Sequence, residues 1–363
     1  MEWLILFLKV FVVFQVAQGL ASLCVWVERK GSALIQDRIG ANRAGAFAQT
    51  DILLLKPVMP IIRLLGVLGI INTLVCDAVK ALFKEDFLPE NTSNFVHSLA
   101  PFMGAFPVFV AYALIPIAPD FTIAGYYIRP QVASLDVGIL FIFAMGSIAV
   151  YGATIAGWVG NNKFSLLGGL RTAAQMISYE LALGLSLVCM VILYGTLDLY
   201  EMIEAQSTLL FGFLPAWGVF TQPIAFIIFF IAGMAETKRA PFDLPEAESE
   251  LVAGYFTEYS GMKFLLFWLG EFAEIALLSA LMVIMFFGGW DIPFVHYPET
   301  WWGALIGHAV FMAKVSFFCV LQIVIRWTLP RFRYDQLMTM GWKMLLPIAM
   351  FNLLLTGALK LLM

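Results

Sequence analysis

The sequence predicts an all-α integral membrane protein of about eight transmembrane helices, with both termini on the outer side and amphipathic helices and long loops on the cytoplasmic side. Three observations predict it. Of the 363 residues, 61% are hydrophobic and only 13% are charged, whereas soluble domains carry roughly 25% charged and about 45–50% apolar residues. So apolar a surface belongs in lipid rather than in water. The apolar residues also gather into runs of about the 20 residues that a helix needs to cross a bilayer. Finally, with the amino terminus placed outside, 17 of the 21 lysines and arginines fall on the inner side, as the positive-inside rule expects.

The candidate spans are roughly 3–27, 96–118, 135–159, 172–195, 222–236, 264–288, 302–328 and 343–362. None alternates polar and apolar residues as barrel strands do. The first run, Met1 to Val27, is longer than the apolar core of a signal peptide and ends at Glu28-Arg29-Lys30 rather than at a small-residue cleavage site, so it reads as a retained helix. The fifth is short but continuous between Pro223 and Glu236. The lysines and arginines that escape the inner side are Lys9, Arg129, Lys314 and Lys360. Ile52 to Val75 is apolar but interrupted by Lys56, Pro57, Pro60 and Arg63. It reads as an interfacial or re-entrant helix. The chain is therefore one polytopic domain, 1–363, with a first cytoplasmic loop over 28–95 and an acidic cytoplasmic loop over 237–263. Leu197 to Gln206, with Asp198, Glu201 and Glu204, is expected to be a solvated surface helix on the outer side.

Composition excludes several classes of function. The net charge is −4 and no basic run is present, which argues against nucleic acid. Cys24, Cys76, Cys189 and Cys319 form no C-x-x-C pair, and His97, His296 and His308 have no haem or zinc spacing. No metal, haem or flavin is expected on this chain, and any electrons must come from a partner. No internal repeat is visible, so an inverted-repeat transporter is not supported.

The densest chemistry follows the fifth span. Between Glu236 and Glu250 lie the carboxylates Glu236, Asp243, Glu246, Glu248 and Glu250, the cations Lys238 and Arg239, and two prolines that interrupt helix. Crowded and buried carboxylates raise one another's pKa, so some can titrate near neutrality; a solvated acidic loop is the plainer alternative. If helix resumes at Glu246, then Glu246 and Glu250 share a face. Charges also lie within spans: Glu180 in the fourth, Glu271 and Glu274 three apart on the sixth, and Lys314 in the seventh. Each costs roughly 2.5–3.5 kcal/mol or more in lipid, so each should face protein or water. Lys314 paired with a carboxylate would hold helices in register, whereas Glu180, with no obvious local partner, suits a proton relay. In the first inner loop, Arg38 and Arg43 flank Gly40 and could be aimed inward by a tight turn.

Taken together, Glu28-Arg29-Lys30, Gln36 to Gly45, Asp77 to Lys80 with Lys84-Glu85, Ala174 to Glu180, Ala235 to Val252 and Pro330 to Met338 resemble one family. It is the quinone-channel subunit of proton-pumping NADH:quinone oxidoreductase, respiratory complex I (the H subunit of bacteria, whose mitochondrial counterpart is subunit 1). The resemblance covers almost the whole chain, and Pro241 to Glu250 carries it most specifically. It implies a channel for a long-tailed quinone, ubiquinone or menaquinone, opening beside the first and sixth helices. Arg29, Arg38 and Asp77, with Arg239 and Phe242, would line the quinone chamber. Glu236, Asp243, Glu246 and Glu248 would belong to a loop that responds to quinone reduction, and Glu180 would begin an acidic chain toward antiporter-like subunits. Glu250, Glu271, Glu274 and Lys314 complete the proton-coupling candidates. The implied partners are peripheral subunits carrying the terminal iron–sulphur cluster and the quinone-site fold, small membrane subunits, antiporter-like subunits and lipids. The implied location is the cell inner membrane, or the mitochondrial inner membrane. Ala41 and Lys238 depart from the family's usual Pro and Asn, and about 20 residues appear inserted between Gly45 and about Leu68. A sister subunit of a membrane-bound hydrogenase or of a quinone dehydrogenase with another donor, and a stand-alone ion transporter, are the rival readings.

Overall fold

The computed structural model describes residues 2–40, 69–70, 75–123, 125–210, 214–293, 295 and 297–362. The expected interfacial helix over 52–75, the insertion after Gly45, Arg43 and His296 fall largely or wholly outside them. Helix dominates, as expected: α1 (Glu2–Ile35), α2 (Asp77–Phe83), α3 (Asn94–Ala111), α4 (Gly138–Val159), α5 (Lys163–Tyr194), α6 (Leu199–Gln206), α7 (Pro223–Glu236), α8 (Gly261–Phe286), α9 (Trp301–Thr328) and α10 (Tyr334–Leu362). Among the described residues, seven helices (α1, α3, α4, α5, α8, α9 and α10) are long and apolar enough to cross a membrane. The eighth expected span, α7, has 14 residues, about 21 Å at 1.5 Å per residue. That is short of a hydrocarbon core of roughly 30 Å. Its burial against other helices supplies what lipid would not. Two short hairpins, β1–β2 (Phe121–Ile123 with Tyr126–Ile128) and β3–β4 (Leu209–Leu210 with Leu214–Pro215), lie in connections.

Several helices run past their expected ends. The 34 residues of α1 extend to Ile35, so Glu28, Arg29 and Lys30 ride on helix rather than in a loop. α5 begins at Lys163, because the Asn162 side chain caps it by accepting from the Phe164 N–H at 3.0 Å. It stops at Gly195, whose φ of 76° is left-handed. α10 starts at Tyr334 and contains a π-helical turn over Met340–Leu345. α6 is not a solvated helix: Leu199, Tyr200, Met202, Ile203 and Gln206 are buried, and only the face with Glu201 and Glu204 is open.

α8 is the axis of the bundle. Every residue from Gly270 to Phe286 is buried. Its sequence is apolar all round, the pattern of a helix enclosed on every side, apart from Glu271 and Glu274. Small residues bring the neighbouring helices close, which substitutes for a hydrophobic drive in lipid. A side chain added at Gly152 of α4 would meet the Gly104 backbone of α3 at 2.4 Å, and one at Gly157 would meet the Ser165 carbonyl at 2.7 Å.

At one end of the bundle the basic segments meet. Lys263 pairs with Asp86 at 2.9 Å, Arg331 with Asp243 at 2.9 Å and Arg171 with Glu250 at 2.6 Å. At the other end Lys314 donates to the carbonyls of Phe287, Gly289 and Asp291 at 2.7–3.0 Å, and its Nζ lies 4.6 Å from the Trp217 ring centre. These carbonyls belong to the residue that ends α8 and to the connection after it, where a cation is favoured, and the Asp291 carboxylate is within electrostatic reach of Lys314 as well.

Gly152→Ala is expected to lower the yield of assembled protein in the membrane and its thermal stability, because backbone cannot yield as a side chain can; overpacking typically costs about 1–3 kcal/mol. Gly357→Ala, where nothing lies within 4 Å, should leave both unchanged. Native gels and thermal inactivation of the two variants make the comparison.

Candidate functional site

Where α7 ends, Lys238 adopts a left-handed φ of 54°. The chain turns there, and the ammonium of Lys238 lies 3.8 Å from Glu271 and 3.9 Å from Glu274 on α8. The three-residue spacing that puts both carboxylates on one helical face is thereby used to hold a single cation. Arg239 lies 3.4 Å from Glu271 and 3.7 Å from Glu28 of α1, with its guanidinium carbon 4.2 Å from the Phe272 ring centre. Glu28 also pairs with Arg326 of α9. The Tyr255 hydroxyl donates to Glu271 at 2.5 Å. Glu236, Lys238, Arg239, Asp243, Glu271 and Glu274 are all buried.

The loop after α7 is fixed from two sides, by α5 and by the segment before α10. The Gln175 amide of α5 donates to the carbonyls of Ala235 and Phe242 at 2.8 and 2.9 Å. Arg331 holds Asp243, and the Phe332 N–H donates to the Pro241 carbonyl at 3.1 Å. Phe242 packs between Tyr179 and Phe332. Helix resumes at Glu248, not Glu246, as the turn Glu248–Leu251. The expected shared face of Glu246 and Glu250 does not form; Glu250 instead reaches Arg171 at the surface. The side chain of Glu248 is outside the described residues.

Deeper in the bundle, Glu180 of α5, Glu236 of α7 and Glu274 of α8 line one cavity of about 50 Å³, together with Gly146 and apolar side chains. That is room for about three waters. Glu180 has a partner that spacing did not reveal, the Ser147 hydroxyl of α4. Glu236 lies within electrostatic reach of both Glu274 and Glu180.

Six carboxyl groups (Glu28, Glu236, Asp243, Glu246, Glu271 and Glu274) thus share four cations (Lys238, Arg239, Arg326 and Arg331). Such an excess favours retained protons. Burial pushes the Asp243 carboxyl up to about 6 against the lowering pull of Arg331. Burial, then the Glu271 charge, hold Glu246 well above the carboxylate range. For Lys238, burial pulls downward but Glu274 and Glu271 outweigh it, and the net shift is upward. Asp243 thus titrates closer to neutrality than an ordinary carboxyl, and Glu246 holds its proton more tightly still.

A profile of the NADH dehydrogenase family matches residues 8–357. The chain belongs to this family. Similar proteins include the H subunit of the NADH-quinone oxidoreductase of Bdellovibrio bacteriovorus, 41% identical over 96% of this chain and 94% of the relative. An H subunit of the same enzyme from Syntrophobacter fumaroxidans is 42% identical over 98% and 96%. Another, from Geobacter metallireducens, is 44% identical over 96% and 94%. Family members of this kind are subunits of an oxidoreductase embedded in the membrane, which accords with the apolar helices.

Not every expected site residue joins the network. Arg29 pairs with Asp77 of α2 at the same end but on the open surface. Arg38 is exposed and donates to Gln36, with its Nε at 3.0 Å. Lys314 is at the opposite end. Arg239, the expected counter-charge of the acidic loop, answers Glu28 and Glu271 instead, and Arg331 takes Asp243. Glu28, Arg326, Arg331, Gln175 and Tyr255 are site members that sequence reasoning missed. The Arg331 segment and Glu28 stood in motifs, but pairing across some 90–300 residues leaves no local signal. Among the described residues, no group of three or more His, Cys, Asp or Glu could hold a metal ion.

Asp243 gives a pH dependence. Its pKa in the fold, about 6, lies above the ordinary 3.8, so the folded loop binds this proton more tightly than the open chain. Its contribution is present below pH 4 and is lost as pH rises through 6, on the order of 3 kcal/mol at most. Hydrogen exchange of residues 237–260, corrected for intrinsic rates, should show the loop loosening across that window. Asp243→Asn should flatten the trend.

Proposed function

We propose that this chain, as a membrane subunit of a proton-translocating NADH–quinone oxidoreductase, forms the quinone access channel and part of the quinone chamber, and couples quinone reduction to proton movement. The supporting observation is the row of buried and half-buried carboxyl groups that runs from Asp243 and Glu246 in the loop, through the Lys238 and Arg239 contacts with Glu271 and Glu274, to Glu236 and Glu180 around the inner cavity. Reducing a quinone takes two electrons and two protons. The electrons come from peripheral subunits carrying the terminal iron–sulphur cluster, seated over the basic end of the bundle. The protons come from groups such as Asp243 and Glu246, held above the carboxylate range. Their loss leaves negative charge beside Arg239 and Lys238, which shifts both cations toward the loop and away from Glu271 and Glu274. A proton then moves along the row to rebalance it, and Glu180 hands the change to the antiporter-like and small membrane subunits.

Arg29, Asp77 and Arg38 form the outer lip of the chamber in this reading, and Arg239 and Phe242 its inner wall. The basic end faces the cytoplasm and the termini face outward. With α7 counted, eight helices cross the cell inner membrane. The substrate is a lipid-soluble quinone, ubiquinone or menaquinone.

Glu180→Gln is expected to reduce proton pumping and coupled quinone reduction at least tenfold in a complex that still assembles; removal of a proton carrier at mid-membrane depth has this effect because a neutral amide cannot relay charge. Proton uptake by vesicles with assembly checked on native gels tests it, and undiminished pumping defeats it. Arg239→Ala leaves Glu28 and Glu271 under-compensated in a buried site, where breaking a pair costs about 3–5 kcal/mol. Quinone turnover should fall and the apparent KM for quinone should rise. Unaltered values of both would sink the chamber assignment of Arg239.

A further inference from the structure

Cations at the end of the bundle away from the acidic loop are answered from within the protein, with one exception among the described residues. Arg129 pairs with Asp120 at 3.6 Å, Lys314 is held by three carbonyls, and Lys360 donates to the Leu193 carbonyl at 3.0 Å. Lys9 has no hydrogen bond or ion pair among the described residues. Of the charges within its reach, Asp120 attracts it and Arg129 repels it; Asp120 pairs with Arg129 through one carboxylate oxygen, and neither makes a direct contact with Lys9. Lys9 lies seven residues into α1, about 10 Å along the helix from Glu2. An ammonium at that depth is costly unless an anion or water reaches it.

Lys9 lines an open groove. The groove has a volume of about 410 Å³ and lies between α1, α9 and the β1–β2 hairpin. Clefts that hold small ligands are roughly 300–1,000 Å³. Apart from Lys9 and His308 its lining is apolar, and His308 is committed through Nδ1 to the Ile117 carbonyl at 3.0 Å. Leu8, Val12 and Leu305 in its walls are exposed, so the groove opens to the bilayer side. At its rim, Trp301 stacks on Trp302 with ring centres 3.7 Å apart. Exposed tryptophans collect at the headgroup level, so the groove begins at headgroup depth and runs into the acyl region.

We propose that this groove is a binding site for an anionic phospholipid, with the phosphate on the Lys9 ammonium and one acyl chain along Val12 and Leu305. Charge complementarity chooses the occupant. An apolar trough alone would accept any chain, but an unpaired ammonium at its mouth selects a headgroup with net negative charge over a zwitterionic one. A helix of a neighbouring subunit would fill the trough yet leave Lys9 unanswered unless it brought a carboxylate.

The test uses the intact purified complex, mildly delipidated. Phosphatidylglycerol or phosphatidylcholine carrying an acyl-chain diazirine is added, and photolabelled peptides are mapped. Phosphatidylglycerol should label the α1 and α9 peptides that line the groove, in preference to phosphatidylcholine. Lys9→Gln should lower phosphatidylglycerol labelling about fivefold and leave phosphatidylcholine labelling unchanged. Leu305→Trp should reduce both by narrowing the trough, whereas Leu140→Trp, on the exposed face of α4, should reduce neither. Equal labelling by the two lipids, indifference to Lys9→Gln, or a protein segment found in the groove in a density map of the complex would overturn the proposal.

Discussion

The contact of Lys238 with Glu271 and Glu274 is the constraint on which the inner half of the bundle depends. α8 is enclosed on all sides, and two carboxylates on such a helix would be prohibitive without a counter-charge. The cation is delivered by a turn at the end of α7, with Lys238 in the left-handed region. Removing the turn would strand both acids, and removing the acids would strand Lys238 and half of Arg239. Charge balance thus joins α7, α8 and, through Glu28, α1 and α9 into one unit.

The same balance explains why the acidic loop is held so firmly. Gln175 and Tyr179 of α5 hold it from one side, and Arg331 and Phe332 hold it from the other. The Gln175 amide suits this role because backbone carbonyls in a loop at the membrane boundary need donors that neither helix nor lipid supplies, and the Arg331 guanidinium answers the Asp243 carboxylate. Lys238 and Arg239 of this loop in turn make its contacts with the carboxylates of α8.

The opposite end of the bundle balances its charges differently. There the carbonyls of Phe287, Gly289 and Asp291, just past α8, accept three hydrogen bonds from Lys314, and Gln206 bridges Ile284 to the backbone N–H groups of Gly218 and Gly288. These contacts cap helix ends and close connections. The carboxylate within reach of Lys314 is Asp291 of this same connection, which separates Lys314 structurally from the acidic row despite its similar depth in the sequence pattern.

Hydropathy and charge asymmetry alone determined that the chain is helical, that it belongs in a bilayer, and that its basic segments share one end, because backbone satisfaction in lipid leaves no other arrangement for such runs. The motif from Ala235 to Glu250 likewise pointed to a segment where buried charges gather, and the spacing of Glu271 and Glu274 placed them on one face. Only the tertiary structure decided the partners: Arg331 rather than Arg239 on Asp243, Ser147 on Glu180, carbonyls on Lys314, Glu28 between two arginines, and a common cavity for Glu180, Glu236 and Glu274. A side chain's pairing depends on which helices adjoin and on how each is rotated. That is set by glycine contacts and packing between distant segments, for which local periodicity carries no information.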